Sequence, residues 1–116
     1  MLTVLDTADL VLAPPSRTVK FEGAPYDAAV SFFSVDMDSG GGPGLHTHPY
    51  AEVFLVQAGL GLFRTDTEQA EVGPGRIVVA TVGTPHAFRN IGQDRLRIVC
   101  IHANPEMITE WLEREA

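Results

Sequence analysis

His46, His48, Glu52 and His86 are four side chains able to ligate a metal, and they use three of the chain's four histidines. They sit in two glycine-punctuated stretches. The first runs Gly40-Gly-Gly-Pro-Gly-Leu-His46-Thr-His48-Pro-Tyr-Ala-Glu52 and continues from Val53 to Gly59; the second runs Gly75-Arg-Ile-Val-Val-Ala-Thr81-Val-Gly83-Thr-Pro85-His86-Ala-Phe-Arg-Asn90. Three imidazoles and a carboxylate suit a divalent transition metal, Mn, Fe, Co, Ni, Cu or Zn, better than Ca or Mg, which prefer oxygen. In a strand alternate side chains share a face, so His46 and His48 project side by side. Pro49 removes a ladder donor and predicts a turn, which places Glu52 on the following strand. A third strand must bring in His86, after the turn-like Gly83-Thr-Pro85.

Together the two stretches resemble the paired signature motifs of the cupin superfamily, over about residues 28–102. The resemblance implies an all-β fold: one small antiparallel, jelly-roll-like barrel with a metal inside, open at one end. It also implies that His46, His48, Glu52 and His86 hold one ion, leaving about two positions of a six-coordinate metal for water, substrate or dioxygen. Small single-domain proteins of this kind often pair, with terminal segments at the interface, so a homodimer is expected. The chain departs from the family at Thr81, where proline is usual; that position shapes a turn and is not a ligand.

The elements that must position these side chains can be read along the chain. Residues 1–27 form an arm broken by Pro14, Pro15, Gly23 and Pro25, with an outer strand at Arg17–Phe21. Ala28–Met37 is a strand and Asp38–Gly44 a glycine-rich loop lacking the ending of a phosphate cradle. Val53–Ala58 and Leu60–Asp66 read as a hairpin-like pair around Gly59, followed by Gln69–Val72 and a turn at Gly73-Pro-Gly75. Ile77–Val82 is a continuous β-branched run, as a buried strand would be; His86–Ile91 and Leu96–His102 complete the barrel. Residues 104–115 predict a short C-terminal α-helix: Asn104 suits the cap, Pro105 the first position, and Met107, Ile108, Trp111 and Leu112 recur at helical spacing. Trp111 is expected on the outside of the barrel or against a partner.

Composition narrows the function. With 116 residues the chain makes a single domain, 1–116, large enough for its own core. A net charge of −7 and a single lysine, Lys20, disfavour nucleic acid and membrane surfaces as partners. Arg64, Arg76, Arg89, Arg95 and Arg97 alternate with apolar residues, as on a solvated face. Cys100 is the only cysteine, so no intrachain disulfide forms. No stretch reaches the roughly 20 apolar residues of a membrane span, and the N-terminal run lacks a basic start and a cleavage site. A cytoplasmic location is expected.

The barrel lining bears on the substrate. If Glu52 faces inward, so do Phe54 and Val56; Phe88 follows His86; and Phe32 or Phe33, with Met37, should join them. That set makes an apolar pocket for a small organic ligand bound through oxygen, or else simply fills a small barrel. His102, Cys100 and Ile98 share one strand face. Turned inward, His102 is a candidate acid or base, or a partner of the metal ligands; turned outward, it is a surface residue. The resemblance thus implies a metal-dependent enzyme acting on a small organic molecule, most concretely a dioxygenase, with Glu52 as a ligand able to take a proton. A redox-neutral isomerase or decarboxylase and a non-catalytic binding or sensing domain are the alternatives.

Overall fold

The computed structural model describes residues 1–113. Among them ten strands are formed, in chain order β1 Val19–Glu22, β2 Ser31–Met37, β3 His46–Thr47, β4 Glu52–Ala58, β5 Gly61–Arg64, β6 Gln69–Val72, β7 Ile77–Ala80, β8 Ala87–Asn90, β9 Leu96–His102 and β10 Glu110–Trp111. A five-stranded sheet has the order β1-β2-β9-β4-β7, a three-stranded sheet the order β6-β5-β8, and β10 pairs with β3. Every pairing is antiparallel. No helix among the described residues is long and apolar enough to cross a membrane.

The period-two pattern of β4 and β9 builds the floor of the site. Glu52, Phe54 and Val56 on β4, and Leu96, Ile98, Cys100 and His102 on β9, all face inward and are buried. Their register sets Val56 against Ile98, Phe54 against Cys100 and Glu52 against His102. Phe63, Val72, Ala80, Phe88 and Val35 close the core around them. Each large apolar side chain so buried contributes about 1.5–3 kcal/mol. The apolar layers therefore fix the height at which Glu52 and His102 enter the polar end of the barrel.

Three expectations change. β4 and β5 are not a hairpin: β4 pairs with β9 and β7, whereas β5 pairs with β6 and β8 in the other sheet. The chain crosses between sheets at Gly59, whose φ of 84° suits glycine and where a Cβ would lie 2.5 Å from the Arg95 carbonyl oxygen. The β-branched run is an edge strand, not a buried one, and leaves Ile77 and Val79 exposed beside Leu55 and Ile101 on the outer sheet face.

The helix expected over 104–115 is not formed in its described part, and residues 114–115 lie outside the described residues. Helical spacing is overridden because the backbone of this segment is engaged elsewhere. Met107 N–H donates to Glu22, Ile108 N–H to the Tyr50 hydroxyl, and the N–H groups of Leu112 and Glu113 both to the Leu45 carbonyl. At the other end residues 1–6 form no regular secondary structure, and Met1, Leu2 and Val4 are exposed to solvent. Val11 then bridges to Val19.

Candidate metal centre

Two-residue β3 carries His46, the turn after it His48, the start of β4 Glu52, and the residue before β8 His86. His46 and His86 form an isolated antiparallel bridge with N–H···O distances of 3.1 and 3.0 Å. The bridge docks the first motif onto the second. One ligand atom from each of His46, His48, Glu52 and His86 lies within 4.8 Å of the others, and all four residues are buried. Glu52 Oε1 is 2.9 Å from His48 Nε2 and 3.0 Å from His86 Nε2. In the second motif, the turn that lacks the family's proline at Thr81 is held by Thr84 N–H donating to the Thr81 carbonyl and by a 2.7 Å contact between the two threonine hydroxyls.

The donor set fits a cation. Nδ1 of His46, His48 and His86 lies 2.7, 2.8 and 2.8 Å from the carbonyl oxygens of Gly44, Ile108 and Thr84. Each carbonyl can only accept, so Nδ1 carries the hydrogen and Nε2 presents a lone pair. Three lone pairs and a carboxylate thus converge with no hydrogen among them when the rings are neutral. His48 Nε2 has no hydrogen-bond partner. Such a group is costly to bury unless a metal ion or extra protons occupy its centre.

Electrostatics reflect the same crowding. Burial lowers the His46 pKa to about 4, against a smaller opposing effect from the Gly44 carbonyl. Burial alone would raise the Glu52 pKa, but the imidazoles of His102, His48 and His86 outweigh it and hold the carboxyl well below its usual range. For His86, burial works against the charged form, yet Glu52 and the Thr84 carbonyl move its pKa up.

All four histidines meet around one carboxylate. His102 enters from β9, with Nε2 3.1 Å from Glu52 Oε2, the oxygen opposite to the one near His48 and His86. Its Nδ1 is 2.6 Å from the hydroxyl of Tyr50, which accepts the Ile108 N–H at 3.1 Å. Burial pushes the Tyr50 pKa up and keeps the hydroxyl protonated.

Above this cluster lies a cavity of about 360 Å³. Its polar end is His46, Glu52 and His102; its walls include Phe33, Val35, Met37, Phe88 and Cys100, and its rim Leu12 and Trp111. Met37 and Phe88 are among its lining residues. Phe32 is not: residues 33, 35 and 37 share the inward face, and Phe32 stacks on Phe21 on the opposite side, ring centroids 5.1 Å apart. Val56 lies in the core and does not line the cavity. Phe54 lines a second hollow of about 220 Å³, which reaches His86 from the other side.

Tyr50 escaped the sequence reading. The signal for Tyr50 was its place inside the first motif, two residues after His48. Trp111, expected on the outside of the barrel or against a partner, is about half exposed, and β10 lays its ring 4.8 Å from that of His46, where it lines the cavity.

Comparison with known proteins gives the class. The profile of the cupin domain family matches residues 33–102, and the chain belongs to that family. An uncharacterized protein of Methanocaldococcus jannaschii is 36% identical over 62 residues, which are 53% of this chain and 50% of that one, so this chain spans about half its relative's length. Among solved structures, a mutant of the Bacillus subtilis oxalate decarboxylase superposes with a TM-score of 0.76 at 14% identity, over 88% of this chain and 29% of that chain. A recombinant oxalate oxidase in complex with glycolate gives 0.73 at 21%, over 86% and 57%. An uncharacterized conserved protein with a double-stranded β-helix domain from Klebsiella pneumoniae gives 0.74 at 15%, over 98% and 100%. At these identities the likeness is one of fold.

Proposed function

We propose that this cupin is a metal-dependent enzyme acting on a small, largely apolar organic molecule that binds through oxygen, most concretely a dioxygenase of enolic or catecholic substrates. The observation that carries the reading is the solvent-reaching cavity above the ligand cluster, since a purely structural metal site is closed over by its ligands. A divalent transition ion held by His46, His48, Glu52 and His86 would supply Lewis acidity and open coordination positions, and, as iron, redox chemistry with dioxygen.

The chain's own residues do the rest. Gly44, Ile108 and Thr84 fix the three imidazole tautomers through their carbonyls. Phe33, Val35, Met37 and Phe88 exclude water from the bound molecule and favour an apolar or aromatic body. Glu52, with one oxygen among the ligand nitrogens and the other toward His102, is placed to take up a proton from an acidic substrate hydroxyl. Oxalate, which figures in the names of two structural neighbours, suits the cavity poorly. Among the described residues no arginine or lysine lines it to receive a second carboxylate.

Elemental analysis of protein purified without a metal-affinity tag, beside a His48→Ala, His86→Ala double variant, tests the reading. Near-stoichiometric iron, absent from the variant, is the expected result and makes oxygen uptake with enolic and catecholic substrates the next assay. Zinc, nickel or manganese would keep the metal and move the chemistry to redox-neutral isomerisation or decarboxylation. Failure to bind any of these ions after reconstitution would overturn the proposal, and a bound ligand that is never turned over would leave a binding protein.

A further inference from the structure

Two buried side-chain nitrogens in the described chain lack a hydrogen-bond partner, His48 Nε2 and His102 Nε2. The first belongs to the four-residue ligand group and the second does not. His102 is 1% exposed, lines the large cavity and has no other histidine's excuse for an unmatched nitrogen. Glu52 Oε2 lies near, at 3.1 Å, but without the alignment that makes a hydrogen bond.

The hydrogen on His102 can be placed from its other side. The Tyr50 hydroxyl oxygen already accepts the Ile108 N–H, and its own hydrogen has one acceptor within reach, His102 Nδ1 at 2.6 Å. Giving that hydrogen to Nδ1 satisfies both groups and assigns the ring hydrogen to Nε2. The opposite tautomer would leave the tyrosine hydrogen without an acceptor. His102 is thus the reverse of the other three histidines: they present lone pairs, and it presents an N–H.

We infer that His102 Nε2–H is the second anchoring point for the ligand. It donates to an oxygen adjacent to the one that reaches the metal, so that the site selects molecules with two neighbouring oxygens, such as catechols, enediols and α-hydroxyketones, over those with one. The inference rests on the metal-dependent reading above and adds to it a ligand class and a residue. Tyr50 is a positioning residue, acting through the tautomer it imposes on His102. The apolar walls take the carbon skeleton, and the pair of oxygens points at the polar group of His46, Glu52 and His102 that lines the cavity.

The test uses the cobalt(II)-loaded full chain, titrated with catechol and with phenol while the visible cobalt spectrum is followed. Wild type should bind catechol at least tenfold more tightly than phenol. His102→Phe should lose that preference, with phenol affinity and cobalt content unchanged. Tyr50→Phe, which removes one hydroxyl and retains the ring, should lose part of it, and His102→Gln, which retains an N–H donor, should recover part. Equal catechol affinity in wild type and His102→Phe would overturn the inference by showing both oxygens on the metal. Loss of cobalt from the folded His102→Phe and His102→Gln proteins would overturn it by making His102 a ligand. Failure of wild type to take up cobalt would instead count against the metal-dependent reading itself, a separate result.

Discussion

Loading the site with metal should stabilise the fold, and removing one imidazole should abolish most of the gain. An ion that binds only the folded chain contributes RT ln(1 + [L]/Kd), about 2.7 kcal/mol at a free concentration one hundred times Kd. For a domain of this length each kcal/mol moves the midpoint by about 4 °C, so wild type should melt about 11 °C higher with metal than after chelation. His48→Ala removes a buried candidate ligand whose Nδ1 is fixed by the Ile108 carbonyl and whose Nε2 lies 2.9 Å from Glu52. Losing a hydrogen-bond partner of a ligand already weakens metal binding about 10–100-fold, so losing the ligand itself should cost at least the upper figure. At the same metal concentration the variant then sits near its own Kd, where the gain is only about 0.4 kcal/mol, or about 2 °C. The assay is thermal unfolding followed by circular dichroism, with and without chelator, across Mn, Fe, Co, Ni, Cu and Zn. An equal upward shift in wild type and variant, or none in wild type with any of the six ions, would refute the placement of the site.

Other outcomes follow from the same geometry. In metal-stripped protein the His46 pKa is about 4 against an ordinary 6.5, so the unfolded chain binds more protons between these values and stability should fall as pH drops through that window, with Glu52 adding to the loss at lower pH. His86 has the opposite sign: its raised pKa gives stability that is present below pH 6.5 and lost as pH rises through the folded value, so calorimetry should find a maximum near pH 6.5 and not a plateau above it. Gly42→Ala should destabilise by about 1–3 kcal/mol in urea titrations, because its Cβ would stand 2.0 Å from the Phe88 carbonyl oxygen. Trp111 is the only tryptophan and lies 4.8 Å from the His46 ring, so its fluorescence should be quenched by Cu(II) in wild type and far less in His46→Ala. Exposed Met1, Leu2 and Val4 on the arm, with Ile77 and Val79 on the outer sheet face, predict a homodimer of about 25 kDa, twice the 12.5 kDa chain; light scattering should show Ile77→Asp, Val79→Asp as a monomer.

Periodicity carried most of the barrel. Alternation in β4 and β9 foretold which residues face inward, and the two glycine-punctuated stretches foretold the family and the four side chains that the fold brings together. Failures came where long-range partners outweigh local pattern. Helical spacing over 104–113 yields to hydrogen bonds with Glu22, Leu45 and Tyr50, none of them visible from within the segment. The β-branched run at Ile77 states a preference for strand but not whether that strand is central or at an edge. Phe32 and Phe33 are separable only by parity with Met37, and parity favours Phe33. Whether His102 faces inward could not be settled from one strand; its register against Glu52 required the fold.

The peptide groups on either side of Ile108 have a consequence for how variation in this protein should be interpreted. One gives its N–H to Tyr50 and so reaches His102; the other lends its carbonyl to His48. A single backbone position therefore sets the orientation of one candidate ligand and, through Tyr50, of His102 in the cavity, while its side chain is about half exposed. Almost any residue can occupy position 108 without disturbing either bond; proline, which has no N–H, cannot. Natural drift there would look unconstrained in a comparison of sequences, although a shift of the segment would disturb both histidines at once.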